Sequence, residues 1–285
     1  MSFHIDRQVA PVSEFRRVLC EQLSRAIKEL NQSSPALQAG TVHTVRRRIK
    51  KIRSVVRLLH FSSPHGMPEA YLTPLSKAAE EIAAIRDAFA DAETMDALSR
   101  HYSIAPSRFA GVFKFLGRRQ QIASAGAGEA MHKAVVLLTS ARFAVETWED
   151  ASLKRHDLPG GITRIYKRCR SSFRKASDDT SPENLHRWRR RTKDLLHILL
   201  LLQKKGSKAA RKPVHRTGKL YTLLGKDHDL VHLCETLDQS AIGTQRDILI
   251  ELVRSRRLKL QDKIMKLGPK LFAEKPKVFA AKCLG

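Results

Sequence analysis

The sequence contains few acidic residues, few aromatic residues and little cysteine, and these shortages limit what the protein can be. Asp and Glu number 28 against 53 Lys and Arg, which gives the 285-residue chain a formal net charge of +25. A surplus of this size indicates a polyanionic partner. The four cysteines are scattered and form no CxxC pair. We therefore expect neither a zinc site nor a disulfide framework, and a reducing cytosol fits best.

Long apolar runs are also missing. ILLLL, at residues 198–202, is far shorter than the roughly 18 residues that a membrane span requires. The opening residues, MSFHIDRQVA, lack the apolar stretch of a secretory signal. These absences predict a cytoplasmic protein without membrane contact.

What the chain does contain is a helical pattern along almost its whole length. Apolar residues recur every three or four positions, and we find no convincing strand alternation and no Asn-Gly or Asp-Gly hairpin turn. The fold class is therefore predicted to be all-α. Helices are expected at 13–31, 41–60, 70–102, 106–122, 128–149, 161–177, 182–204, 208–239, 243–266 and 269–281.

One basic helix signature occurs twice. Residues 42–59 read VHTVRRRIKKIRSVVRLL, and residues 185–202 read LHRWRRRTKDLLHILLLL. An offset of 143 residues aligns His43 with His186 and also aligns the basic residues that follow each histidine. A second motif, IRDAF around Asp87 and DHDLV around Asp229, recurs at an offset of 142. Two motifs in the same order at nearly the same spacing predict two copies of one helical unit.

The repeat divides the chain into two halves. LKRHDLPGG, at 153–161, is the expected boundary between repeat 1, about residues 1–152, and repeat 2, about residues 160–285. Because this connector is short, the halves should pack closely. Function should lie where the two copies face each other.

The first signature helix separates charge from core. At about 100° per residue, Val45, Ile49, Ile52 and Val56 share one stripe. The opposite stripe collects His43, Arg46, Arg47, Lys50, Arg53 and Arg57. An ordinary exposed face would mix Glu with Lys at four-residue spacing, because like charges at that spacing are destabilising. The stripe therefore predicts a bound anion that offsets the repulsion.

The second signature helix repeats this arrangement. Its basic stripe consists of His186, Arg189, Arg190, Lys193 and His197. Trp188 lies on the apolar side, which favours core packing over base stacking. The signature histidines have three interpretations: a structural hydrogen-bonding role, an anion contact or a metal ligand. The last is disfavoured because each lacks a second ligand at helical spacing. Arg25 and Arg168, also 143 residues apart, are weaker candidates on the preceding helices.

The residues that carry the repeat resemble the CHAD family, the conserved histidine α-helical domains. The resemblance rests on His-x-x-Arg-x-x-x-Lys at the start of both signature helices, on AAIRD at 83–87 and on LLGKDHD at 223–229. It covers nearly the whole chain as a single CHAD domain. It implies two pseudo-symmetric helical bundles with a basic groove or pore between them. It also implies binding of inorganic polyphosphate and association with polyphosphate granules.

The second copy departs from the family pattern. Family members usually continue the signature as Lys-x-Leu-Arg-Tyr, whereas this chain has LLH after Lys193 and Asp194, so the counterpart of Arg53 is missing. The groove is therefore expected to be asymmetric. For Asp87 and Asp229 two interpretations stay open: each orients a signature Arg or Lys, or each forms a surface salt bridge of small value.

Three functional classes compete. Polyphosphate needs a line of Arg and Lys donors and no stacking surface, which the basic stripes supply. Non-specific, weak binding of nucleic-acid backbone is the main alternative, although single-strand binders usually add aromatic platforms. An enzyme is the third class. There is no P-loop, no GxSxG and no Glu-x-Glu-x-Lys motif of the CYTH triphosphatase module that often accompanies CHAD domains. We expect no catalysis, no cofactor and no metal.

Overall fold

The computed structural model describes residues 3–34, 38–63, 71–149, 153–203, 208–238, 240 and 243–284, without the side chains of 208–210. Residues 70, 204 and 239, at the ends of three predicted helices, lie outside these ranges, as do 1, 2, 150–152 and 285 at the ends of the predicted repeats. Within the described ranges the chain is all-α, as predicted, and has no strand. None of the helices described is long and apolar enough to cross a membrane.

Twelve α-helices are described. They are α1 (Pro11–Asn31), α2 (Gln38–Ser62), α3 (Leu72–Glu81), α4 (Ala83–His101), α5 (Ala110–Ala125), α6 (Ala127–Glu146), α7 (Leu158–Asp178), α8 (Pro182–Leu202), α9 (Lys208–Asp238), α10 (Thr244–Met265), α11 (Gly268–Leu271) and α12 (Pro276–Leu284). Short 3₁₀ turns precede α5 at Pro106–Phe109 and α7 at Arg155–Asp157.

Two predicted helices are broken. The helix expected over 70–102 is interrupted at Ile82, which separates α3 from α4. No proline or glycine stands at the break, so the sequence pattern gave no signal for it. The helix expected over 269–281 is also wrong. It is divided into α11 and α12, because α11 ends at Leu271 and the chain turns before Pro276 opens α12.

Helix α8 begins where its sequence signal predicted. Ser181 occupies the N-cap position with extended backbone, and Pro182 follows in the first turn. Proline is favoured there because its missing N–H would have no partner inside the helix. The Ser181 side chain makes no capping hydrogen bond. The backbone preference of proline, with Glu183 in the first turn, accounts for the start of this helix.

Four helices surround the centre of the molecule. Helix α2 packs on α8, α8 on α9, α9 on α4 and α4 on α2. The apolar faces of these helices join one hydrophobic cluster that extends through both halves of the chain. Helices α1 and α7 pack against α2, and α7 also packs against α8. Gly161 allows the close approach of α7, because a Cβ at this position would lie 3.0 Å from Leu58 on α2.

The order of helices agrees with the sequence offset. The helix pairs α1 and α7, α2 and α8, and α4 and the second half of α9 begin or lie near positions 142–147 residues apart. Ser54 and His197, which are separated by the same 143 residues, are hydrogen bonded to each other. The pseudo-symmetry itself remains a prediction from the repeat.

Candidate functional site

The basic stripe of α2 lies between the core and the solvent. Val45, Ile49, Ile52 and Val56 are buried, as the helical wheel predicted. On the other face the side chains form a gradient of exposure. Arg46, Lys50, Arg53 and Arg57 are half-buried, whereas His43 and Arg47 are exposed. The stripe therefore runs from solvent into the ring of α2, α8, α9 and α4.

Lys50 lies among positive charges from several helices. Burial, together with the charges of Arg189, Arg46, Lys193 and Arg86, lowers the pKa of Lys50 to about 7. Arg189 and Lys193 belong to α8, and Arg86 belongs to α4. Cations from three helices are thus close enough to oppose one another. Such an arrangement is costly for the free protein and favours an anion.

The α8 wall has similar electrostatics. Burial lowers the pKa of Lys193 to about 8, in spite of the neighbouring Asp194 carboxylate, and Arg53 and Arg57 act in the same direction as burial. Burial and the adjacent His228 lower the pKa of His186 to about 4. The rings of these two histidines lie 4.6 Å apart, centroid to centroid. His186 is therefore neutral near pH 7 and can donate or accept a hydrogen bond.

Arg189 lies along one face of α9. Its guanidinium carbon is 5.7 Å from the centroid of the Tyr221 ring, and its Nη2 is 4.0 Å from Asp229 Oδ1. A Cβ at Gly225 would lie 3.8 Å from Arg189 Nε. Tyr221, Gly225 and Asp229 are spaced by four residues and thus share a face of the helix. This face supports the arginine, and the position of Asp229 favours its role in orienting Arg189.

Arg46, the counterpart of Arg189, forms a hydrogen bond near the break between α3 and α4. Its Nη1 donates a hydrogen bond of 2.9 Å to the Ala79 carbonyl oxygen in the last turn of α3. Carbonyl groups in the last turn of a helix lack partners within that helix. Burial lowers the pKa of Arg46, and the Asp87 carboxylate opposes this shift. Asp87 thus stabilises the charge of Arg46 electrostatically.

A buried polar cluster joins α2 to α8. Ser54 and Asp194 are 0% and 2% exposed. The Ser54 hydroxyl lies 3.1 Å from Asp194 Oδ1 and 3.0 Å from His197 Nδ1. Arg57 Nη1 donates to Asp194 Oδ2 at 2.8 Å. These contacts connect the two copies and neutralise the charge of Arg57.

His197 requires a correction. The sequence placed it on the ligand-binding stripe, but it is 8% exposed and its Nδ1 contacts Ser54. Burial lowers the pKa of His197 to about 3. A neutral, buried and hydrogen-bonded imidazole has a structural role in the α2–α8 interface. We remove His197 from the set of anion contacts.

The remaining predicted residues differ in their distance from this cluster. Arg47 and Arg190 are exposed, but the charge of Arg190 lowers the pKa values of Arg53 and His186. Arg25 forms a 2.6 Å ion pair with Glu21 on α1, and Arg168 stacks over Phe61 at 5.1 Å. Neither Arg25 nor Arg168 is among the charges that lower the pKa of Lys50 or Lys193. These two arginines stand outside the central cluster.

Sequence reasoning missed Arg86 and His228. Arg86 lowers the pKa values of His43, Arg46 and Lys50, and His228 contacts His186. The signal was available in the second repeated motif, where Arg86 and His228 occupy equivalent positions directly before Asp87 and Asp229. A basic or imidazole side chain precedes the aspartate in both copies. The inner surface defined by Arg46, Lys50, Arg53, Arg86, His186, Arg189, Lys193 and His228 is called the cationic groove below.

Other candidate groups are already paired within the protein. Asp91 accepts hydrogen bonds from His232 Nδ1 at 2.7 Å and from the Thr236 hydroxyl at 2.9 Å. Asp227 accepts from Arg257 Nε at 3.1 Å. In the part of the chain that the structure describes, no three His, Cys, Asp or Glu side chains converge as metal ligands would. Trp188 is fully buried, which confirms core packing.

Comparison with known proteins identifies a family model and a solved structure that resemble this chain. The family model described as the CHAD domain matches residues 17–238. The crystal structure of the CHAD domain from the plant Ricinus communis has a TM-score of 0.70 at 20% sequence identity, over 94% of each chain. At this identity the likeness concerns the fold. A comparison with curated proteins gives no match. Because the family model spans most of the helical ring and both signature helices, the chain belongs to the CHAD domain family.

Proposed function

We propose that this protein binds inorganic polyphosphate in the cationic groove. The observation that carries the proposal is the electrostatic environment of Lys50, where cations from α2, α4 and α8 oppose one another. A linear chain of phosphates would place repeated anionic oxygens beside these groups and relieve the repulsion. Membership in the CHAD family supports this ligand, since the resemblance implies polyphosphate binding.

The side chains suit a ligand that has phosphates and no bases. Arginine offers planar paired donors to phosphate oxygens, and lysine offers a mobile point charge. Stacking of nucleic-acid bases needs an exposed aromatic face. Trp188 is buried, and the Tyr221 ring is already in contact with Arg189. These two aromatic residues therefore give no platform for bases, which favours polyphosphate over single-stranded nucleic acid.

The proposed role is binding without turnover, in the cytoplasm and at polyphosphate granules. The acidic residues that could be imagined as metal ligands are Asp91 with Glu93 and Asp227 with Asp229. Asp91 and Asp227 are held by His232, Thr236 and Arg257. Glu93 pairs with Arg86, and Asp229 lies 4.0 Å from Arg189. A scaffold or granule-associated module needs only affinity for the polyphosphate chain. Incubation with polyphosphate and Mg²⁺, followed by phosphate release, tests this part of the proposal. Measurable hydrolysis would contradict it.

A binding competition tests the ligand class. Calorimetry at near-physiological salt should give tighter binding to long-chain polyphosphate than to DNA, RNA or ATP at equal phosphate concentration. Replacing Lys50 and Arg53 by Ala should weaken polyphosphate binding by roughly 10- to 100-fold, the range for losing charge-assisted contacts. Equal affinity for all four ligands would reduce the proposal to a generic basic surface.

The control must change charge without changing the fold. Arg48 and Lys51 lie outside the stripe, and their loss should affect binding less than the loss of Lys50 and Arg53. However, Arg48 forms a 2.6 Å ion pair with Glu29, so its replacement would disturb the α1–α2 contact. Lys133 and Arg142 on α6 are better controls because both are exposed. If K133A/R142A weakens binding as much as K50A/R53A, net charge explains the affinity.

A further inference from the structure

A pocket lies at the C-terminal end of α8. Its volume is about 650 Å³, and it is formed by the C-terminal end of α8, the first half of α9, residues 270–274 and α12. Cavities of this size are typical of small-molecule sites. The groove residues of α8 lie in its first half, from His186 to Lys193. The pocket is therefore separate from the cationic groove.

The floor of the pocket is apolar and recessed. It includes Leu199, Leu202, Leu271 and Phe279. These side chains are only 3% to 6% exposed. A slender apolar chain can enter, and its burial would be favourable through the hydrophobic effect.

The rim of the pocket is cationic. Lys212, Arg216, Lys270 and Lys282 line it, with Glu274 as the one carboxylate among its lining residues. Lys282 Nζ pairs with that carboxylate at 2.8 Å. Arg216 donates to the Lys270 carbonyl oxygen at 3.3 Å. The charges of Lys212 and Lys270 have no carboxylate partner among the described residues, so an anionic group at the mouth would be stabilised.

From this combination we infer that the pocket binds a single-chain carboxylate amphiphile, a fatty acid. The alkyl chain occupies the apolar floor, and the carboxylate lies at the rim near Lys212 and Lys270. Charge complementarity selects the head group, and the recessed floor selects a thin tail. An acidic apolar peptide shares the charge and is the alternative occupant that the tests below distinguish. The inference is independent of the polyphosphate proposal.

Calorimetry on the full chain with fatty acids below their micellar concentrations tests this inference. Decanoate should bind with one-to-one stoichiometry. Affinity should rise from octanoate to decanoate to laurate, by roughly fourfold for each methylene that becomes buried. The neutral analogue 1-decanol should bind at least tenfold more weakly than decanoate. Absence of decanoate binding, or equal binding of the alcohol, would overturn the inference.

A variant pair separates the rim from general charge. K212A/K270A removes two exposed lysines of the rim and should weaken decanoate binding by roughly tenfold. K114A/K133A removes two exposed lysines on α5 and α6 and should leave it unchanged. Equal losses in both variants would mean non-specific attraction to a basic protein. That outcome would also overturn the assigned site.

Two further measurements locate the ligand. Cys283 lines the pocket, so decanoate should slow its modification by a neutral maleimide in a variant that carries C20S and C234S. Long-chain polyphosphate should not displace decanoate. Displacement would move the fatty acid to the cationic groove, and tighter binding of an acidic apolar peptide would assign the pocket to a protein partner. Either result would contradict the fatty-acid site.

Discussion

Lys50 combines a depressed pKa with a position near four other cationic side chains. Its pKa of about 7 lies far below the usual value of about 10.4. The unfolded chain therefore binds more protons than the folded chain between these two values, and this residue makes the free protein more stable as pH rises through that interval. A bound polyanion reverses the preference because it stabilises the charged lysine.

The first prediction follows from this linkage. At pH 8, polyphosphate binding should take up protons at Lys50 and Lys193, and affinity should fall as pH rises from 7 to 9. Calorimetry in buffers with different ionisation enthalpies measures the uptake. Long chains are used so that terminal phosphates contribute little.

The conservative variant K50R provides the control for that prediction. Arginine stays charged throughout this pH range, so K50R should keep binding but show less proton uptake. An unchanged uptake in K50R would mean that other groups titrate. The neutral variant K50M should lose affinity and gain about 1–2 kcal/mol in free energy of unfolding, as often occurs when a functional site is relieved of repulsion.

Asp194 carries the second prediction. It is buried, accepts from Arg57 at 2.8 Å and lies 3.1 Å from the Ser54 hydroxyl. D194A should lower the free energy of unfolding by about 2–3 kcal/mol, slightly less than for a fully buried pair because Arg57 keeps some solvent contact. Urea denaturation measures this. E251A, which breaks an exposed pair with Arg254, should change stability by about 0.5 kcal/mol or less; a similar loss in both variants would contradict the structural role of Asp194.

At the residue scale, the sequence predicted which face of a helix is buried better than it predicted which side chains contact each other. Helical spacing separated the buried Val45 and Ile49 from the half-buried Lys50, because periodicity defines an angle around the helix axis. It could not show which side chains meet across a helix pair. His197 was misplaced for this reason. Its stripe faces Ser54 on α2, and only the packing of α2 against α8 reveals that contact.

At the element scale, the equivalent arginines Arg46 and Arg189 are held by different contacts. Arg46 reaches the Ala79 carbonyl because the helix breaks at Ile82. Arg189 lies on an unbroken α9 and uses Asp229 and Tyr221 instead. The prediction of one continuous helix over 70–102 was wrong. The break at Ile82 is tolerated because the Arg46 side chain, from α2, donates a hydrogen bond to the Ala79 carbonyl oxygen. Such tertiary compensation is invisible to local propensity.

Gly225 gives the third prediction. A Cβ there would lie 3.8 Å from Arg189 Nε, so Ala fits and should stabilise α9 by about 0.5–1 kcal/mol through helix propensity. Leu is larger and should displace Arg189. We therefore expect G225A to bind polyphosphate normally and G225L to lose affinity about as much as R189A. Thermal unfolding and calorimetry of the three variants check this. Equal binding by G225A and G225L would show that the face of α9 does not support Arg189.

At the scale of the whole molecule, the all-helical class could be predicted because the helical period extends along nearly the entire chain. The repeat also led us to look for function where the two copies face each other, and the signature helices α2 and α8 are in contact. The closed ring of α2, α8, α9 and α4 could not be predicted from the residues, because packing partners depend on contacts far apart in sequence. Only the family resemblance suggested a groove or pore.

The fourth prediction concerns both walls of the groove. Neutralising several phosphates releases counterions, with a logarithmic salt slope of about 0.7 per contact for single-stranded polyanions. We expect a steep loss of affinity with salt, and a shallower slope in K50A/R53A and in R190A/K193A. A salt-insensitive affinity would favour a tight single-phosphate pocket instead.

Chain length is the fifth test, and it separates one site from two. A long polyphosphate that touches both walls gains affinity through effective concentration, so either double variant should lose a larger factor of affinity for long chains than for short ones. Tripolyphosphate should show less of this coupling. Additive, equal losses for short and long chains would indicate two independent surfaces.

The shared core also has a consequence for biosynthesis. Helix α2 packs on α7 and α8, and Gly161 of α7 lies against Leu58 of α2. At about 5–20 residues per second, a ribosome needs roughly 7–30 seconds to translate the 143 residues that separate Ser54 from His197. Throughout this interval the nascent first half has no partner for these faces of α2. The chain must therefore remain unaggregated on the ribosome until α8 emerges, which makes the first half a natural client for holding chaperones.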